Sequence, residues 1–136
     1  MKLFWKIFFI IQWIIFCGLI FYLSSLPKVE FLPKSIIDRD KLLHLIGFFF
    51  YGISTQLFIN TICINQKKSS RIFYVLIIGI IYGLTDELHQ SFVPGRTSDI
   101  YDFLVDLIGI ILSLCLFNLI LKALNKFKES SNAKIS

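Results

Sequence analysis

The sequence predicts an all-α membrane protein, a bundle of four transmembrane helices with both termini on the cytoplasmic side. Three observations carry that reading. Hydrophobic residues make up 56% of the 136-residue chain against 17% charged, and mean hydropathy is +0.75. A soluble domain of this length could not cover so much apolar side chain, so the bilayer is the solvent to expect. The apolar residues fall into four runs, each close to the roughly 20 residues that cross the hydrocarbon core as a helix. Lysine and arginine divide unevenly between the two sides those runs define, with nine on one side and five on the other.

The first run extends from about Leu3 to Leu23. It follows Lys2 and contains Lys6, as a secretory signal would, but it exceeds the roughly 7–15 apolar residues of a signal core. The "SSLPK" after it is no clear small-x-small cleavage site, so a retained helix is expected. A connection with two prolines and mixed charge leads to the second run, about Leu42 to Ile64. A short basic link, "NQKKSSR", precedes the third, Ile72 to about Gln90. In "SFVPGRTSD", Pro94 and Gly95 suit the centre of a tight turn, and Thr97 or Ser98 can cap the fourth run, Ile100 to Leu121. One domain is expected over residues 1–125, with a polar, frayed tail over 126–136.

Orientation follows from the basic residues. The termini and central link hold Lys2, Lys6, Lys67, Lys68, Arg71, Lys122, Lys126, Lys128 and Lys134, and this richer side should be cytoplasmic. Eight of the nine acids belong at or toward the other side. The +5 net charge does not point to nucleic acid, because the cations flank apolar runs rather than forming a stripe. Cys17, Cys63 and Cys115 are odd in number and lack CxxC spacing, so they read as buried small hydrophobes rather than disulfides or metal ligands.

The polar residues inside the runs carry the functional signal. On the fourth run Asp99, Asp102, Asp106, Gly109 and Ser113 follow at steps of three and four, one face of a helix. An ionised carboxylate at the depth of Asp106 costs on the order of 2.5–3.5 kcal/mol before it finds a partner. On the third, Asp86 and Glu87 lie four and three residues before Gln90, with Tyr82 and Gly83 continuing that side inward. On the second, Lys41, His44, Gly47 or Phe48, Tyr51 and Thr55 share a face. Three helices can therefore bring Lys41, His44, Asp86, Glu87, Gln90, Arg96, Asp99, Asp102 and Asp106 together as the rim and wall of a polar pocket open to the outside.

His44, Asp86 and Glu87 are the candidates for acid–base work, and Lys41 and Arg96 can hold a phosphate or carboxylate. No serine or cysteine nucleophile lies among them, so hydrolysis would need water or a metal. The carboxylates and His44 match no strong metal-ligand spacing, so neither a metal nor a cofactor is expected. Plainer roles compete. Lys41 and Arg96 suit interfacial snorkelling, His89 an interfacial ring, Asp99 a helix-start charge, and the acids a salt-bridge network holding the bundle.

The segments "DKLLHLIGFFFYG" (Asp40 to Gly52) and "GLTDELHQSFVPGRTSDIYDFLVDLIG" (Gly83 to Gly109) resemble the VanZ-like family of small bacterial membrane proteins. The matching positions are Asp40, Lys41, His44, Asp86, Glu87, Gln90, Phe92, Pro94, Gly95, Arg96, Asp99, Asp102 and Gly109. The chain departs from the pattern at Asp106, where Asn is the commoner residue. The resemblance implies a multi-pass protein of the bacterial cytoplasmic membrane, in contact with lipid and with a cell-envelope precursor or amphiphile. It also points to teicoplanin, and so to glycopeptide resistance. Three functions follow: a binder or carrier of a lipid-linked or glycopeptide-related envelope molecule, a membrane-embedded enzyme acting on one, or an accessory subunit.

Overall fold

A computed structural model describes residues 3–27 and 39–133, and among them there are four helices and no strand. They are α1 (Leu3–Ser24), α2 (Arg39–Ile62), α3 (Lys68–Gln90) and α4 (Ile100–Ala133), and each is long and apolar enough to span a membrane. The core of the two-proline connection, with Lys28 and Lys34, and the terminal Lys2 and Lys134 lie outside the described residues.

α2 lies at the centre and packs against all three other helices, most extensively α4, whereas α1 touches α2 and, slightly, α3. α2 and α4 run parallel in a fixed register. Lys41 meets Asp102, His44 meets Asp106, and Gln56 meets Ser113. Gly109 permits the approach: a Cβ there would stand 2.7 Å from the Leu45 carbonyl oxygen and 2.9 Å from the Phe49 nitrogen. Small residues are what let membrane helices pack backbone to backbone, because lipid tails supply no hydrophobic drive. Phe48, Tyr51, Ile59, Val75, Ile110 and Leu114 fill the remaining interior, with Tyr51 stacked on Tyr82 at 4.6 Å.

Three expectations need correction. The tail continues as helix to Ala133. At about 1.5 Å per residue the 34-residue α4 is about 50 Å long, so its last turns extend beyond a hydrocarbon core of about 30 Å. The segment contains no Gly or Pro to stop it, and Lys122, Lys126 and Lys128 are exposed on it. The cysteines are not buried: Cys115 is exposed on the outer face of α4, and Cys17 and Cys63 are partly covered. Neither Thr97 nor Ser98 caps α4. Asp99 does, its Oδ1 accepting the Tyr101 N–H at 2.9 Å.

Candidate functional site

Helical period alone places the site's side chains. His44 on α2, Asp86, Glu87 and Gln90 on α3, and Asp102 and Asp106 on α4 all turn inward and are buried. Gln90 is the hub. Its amide nitrogen donates to Asp86 Oδ2 at 2.8 Å and faces His44 Nε2 at 3.2 Å, while its Oε1 accepts from Arg96 at 3.2 Å. These contacts fix the amide's orientation and make His44 Nε2 an acceptor. His44 Nδ1 then donates to Asp106 Oδ1 at 2.9 Å. A carboxylate on one imidazole nitrogen, with the lone pair on the other, is how metal-binding histidines are held in the right tautomer; here that lone pair faces the Gln90 amide, which a bound ion would have to displace.

The loop after α3 closes over this end. Val93–Arg96 forms the expected turn, with the Arg96 N–H donating to the Val93 carbonyl at 3.1 Å. Gly95 has φ +79°, which makes the turn type II and requires a residue without a Cβ penalty there. Glu87 Oε2 ties the loop down by accepting the Asp99 N–H at 2.8 Å and the Ser98 hydroxyl at 3.3 Å. Arg96 reaches the other way. Its Nε donates to the Leu26 carbonyl at 2.8 Å beyond α1, and its Nη1 lies 3.7 Å from Asp40. Lys41 stands 3.8 Å from Asp99 and 3.9 Å from Asp102. His89 is turned away from the cluster, stacked on Phe21 at 4.2 Å and within 2.8 Å of Ser25 Oγ.

The expected residues thus do come together, with two differences. The cluster is no open pocket, for direct contacts among the side chains close it, and Asp106 is 0% exposed. A cavity of about 250 Å³ instead adjoins Glu87, lined by Leu84, Leu88, Ile100 and Phe103 on the outward faces of α3 and α4. Also, His44, Asp86, Glu87 and Asp106 each offer a ligand atom, all within 4.8 Å of one another. Sequence spacing could not show this, because the four sit on three helices. Glu87 Oε1, Asp102 Oδ1 and Asp106 Oδ2 are buried without a hydrogen-bond partner. Among the described residues, the ion pairs made by Lys and Arg go to Asp40, Asp99 and Asp102. Two carboxylates crowded together in a low-dielectric interior repel, and a cation between them relieves that repulsion. The donor set of one imidazole and three carboxylates suits a divalent ion such as manganese, magnesium or zinc.

The chain is 32% identical over 95 residues to a fission-yeast (Schizosaccharomyces pombe) protein described as "Uncharacterized protein C11E3.10". The match covers 70% of this chain and 53% of that protein, so the chain spans about half its relative's length. No solved structure matches the chain. Residues 4–121 match the VanZ/LLP1 family, which takes in nearly all of α1, all of α2 and α3, and the whole polar face of α4: this multi-pass membrane chain belongs to that family.

Proposed function

We propose that the chain binds the phosphate-bearing head of a lipid-linked cell-envelope molecule at a divalent ion held by His44, Asp86, Glu87 and Asp106, and hydrolyses it. The observation that carries the reading is the pair of buried carboxylate oxygens, Glu87 Oε1 and Asp106 Oδ2, unpartnered within a group whose ligand atoms lie within 4.8 Å. Such an ion, when bound, neutralises phosphate charge and makes water a usable nucleophile at neutral pH. Glu87 lines the cavity between the cluster and the lipid-facing surface. Leu84, Leu88 and Ile100 there offer an apolar track for the lipid chain. Lys41 and Arg96 add positive charge at the same end.

Metal content and turnover of the purified protein test this. The expected result is stoichiometric binding of a divalent ion and chelator-sensitive phosphate release from a polyprenyl-phosphate-linked substrate. Glu87→Gln and Asp106→Asn should each lower ion affinity and release by about 10- to 100-fold, the scale of a weakened metal ligand set. Retained ion and lipid without release would leave a carrier. Neither ion nor release would overturn the proposal in favour of a second reading, a salt-bridge network, which the direct His44–Asp106 and Lys41–Asp102 pairs favour. In that case replacing a pair with apolar residues should leave function intact. A contribution to teicoplanin resistance follows from handling an envelope precursor and is read in strains carrying the same variants.

The membrane orientation belongs to the same proposal, with both termini in the cytoplasm and the cluster near the outer leaflet of a bacterial cytoplasmic membrane. In a chain with Cys17, Cys63 and Cys115 replaced, a cysteine at Ser98 should react with an impermeant external reagent and one at Ser69 should not. The reverse pattern would invert the topology.

A further inference from the structure

The end of the bundle away from the acidic cluster, where α2 passes into α3, contains a second cavity, of about 380 Å³. Its lining includes two cations, Lys68 and Arg71, and no acid. Asn60, Asn118 and Gln56 add amides, and the rest is largely aliphatic and aromatic. Arg71 does not simply reach for water as an interfacial arginine would. Its Nη1 donates to Asn60 Oδ1 at 2.9 Å, which turns the guanidinium against α2. Its Nε is buried and has no hydrogen-bond partner. An N–H closed off in this way is costly to leave unmade, and more so on a charged group.

Lysine and arginine beside a cavity with apolar walls, at the depth where a membrane helix meets water, match the head and upper chain of an anionic lipid. We propose that this cavity binds the headgroup phosphate of an anionic phospholipid from the leaflet at the α2–α3 connection. Arg71 and Lys68 take the phosphate, Asn60 holds the guanidinium in place, and Val75, Leu114 and Leu121 receive the upper acyl chain. A zwitterionic lipid offers the same phosphate but carries its own cation, which would meet Lys68 and Arg71 with nothing in the lining to balance it. The site does not depend on the acidic cluster and shares no residue with it.

The test is thermal unfolding of the detergent-purified chain with added phosphatidylglycerol, phosphatidylcholine or inorganic phosphate. Phosphatidylglycerol should raise the midpoint in a saturable way, with little response to phosphatidylcholine or phosphate. The double variant K68Q/R71Q should weaken apparent phosphatidylglycerol affinity by about tenfold to thirtyfold, the scale of two interfacial cations. Should that variant fail to fold, Leu121→Trp, which narrows the cavity and keeps both cations, gives the same readout. Glu87→Gln should respond to phosphatidylglycerol as the unaltered chain does, which separates this site from the proposed catalytic one. An equal response to phosphatidylcholine would overturn the headgroup assignment. An equal response to phosphate would replace the lipid with a free anion. An undiminished response in the variants would remove the site.

Discussion

The two ends of this bundle are built from the same helices and resolve their polar groups in opposite ways. At one end His44, Asp86, Glu87, Gln90, Asp102 and Asp106 turn inward, bond to one another and are covered by the 91–99 loop. At the other, Lys68, Arg71, Asn60 and Asn118 border a cavity. The first end holds surplus negative charge in a closed interior and the second surplus positive charge on an open one. The difference teaches where to look for what each end lacks. A closed acidic network calls for a small cation that fits among its ligands. An open basic cavity calls for a larger anion that can enter from the side. Between the ends, Tyr51, Phe48, Ile110 and Leu114 form an apolar layer that keeps the two apart.

The strongest way to break the comparison is to remove one partner from the closed end. Asp106→Ala leaves the His44 Nδ1–H without its acceptor in a fully buried position. A buried donor left unmade, with a charged acceptor lost, costs at the top of the usual range, about 3 kcal/mol. Asp106→Asn keeps an oxygen to accept from His44 and should cost less than half as much. Unfolding in detergent measures both, and near-identical stability of Asp106→Ala and the unaltered chain would show that the end is not a closed network.

A smaller effect tests the register that aligns the two helices. Gly109→Ala puts a methyl against α2 backbone, 2.7 Å from the Leu45 carbonyl oxygen and 3.2 Å from the Phe48 carbonyl carbon. Backbone cannot rotate away as a side chain can, so the upper part of the usual overpacking range, about 2–3 kcal/mol, is expected. Affinity for the proposed divalent ion should fall with stability, because His44 and Asp106 face each other only in this register. Gly47, one turn along α2 from His44, is the control, since a methyl there would meet nothing within 4 Å. Gly47→Ala should be neutral or gain up to about 1 kcal/mol from helix propensity. Equal behaviour of the two variants would mean that α2 and α4 do not pack this closely.

How much of this was legible in the sequence follows from what periodicity encodes. Steps of three and four gave the buried faces of α2 and α4, and Lys41, His44, Phe48, Tyr51 and Thr55 do lie along one side. The turn was legible because Pro94 fixes a negative φ and Gly95 tolerates the positive φ the next position takes. Pairings across helices were not legible, since nothing in the local sequence distinguishes Asp106 from Asp102 as the partner of His44. The same limit hid the group that could hold an ion, whose members lie on three helices, with His44 and Asp106 separated by 62 positions. Gln90 looked like a helper to two acids and is instead the junction of Asp86, His44 and Arg96. Arg96 looked like a ligand-binding cation, and half of its bonding turns out to reach the last turn of α1 and the chain just beyond it.

The smallest effect concerns α1, which reaches both ends only at their edges, Phe9 at the basic cavity and Leu23 at Arg96, and tests whether the comparison needs it. Its face toward lipid is almost wholly apolar, and it joins the bundle through a few polar contacts. Gln12 Nε2 donates to Ser54 Oγ at 2.7 Å, and Trp13 Nε1 donates to Thr55 Oγ1 at 3.1 Å. The Trp13 ring also stacks on Phe58, with centroids 4.4 Å apart and planes within 5°. Trp13→Phe keeps a ring for that stacking and removes the donor, while Thr55→Val removes the acceptor. Thr55 has a second role, since its hydroxyl donates to the Tyr51 carbonyl at 2.9 Å. The single variants therefore differ in cost, and only the double-mutant cycle isolates the interhelical bond. Hydrogen bonds between membrane helices average about 0.6 kcal/mol in such cycles, because the separated helices find other partners in the membrane. A coupling near that value, with binding of the proposed ion and lipid unchanged, would mark α1 as an attachment to a three-helix working unit. A coupling above about 2 kcal/mol, beyond the usual range for such bonds, or loss of either ligand, would make α1 part of what holds the two ends in place.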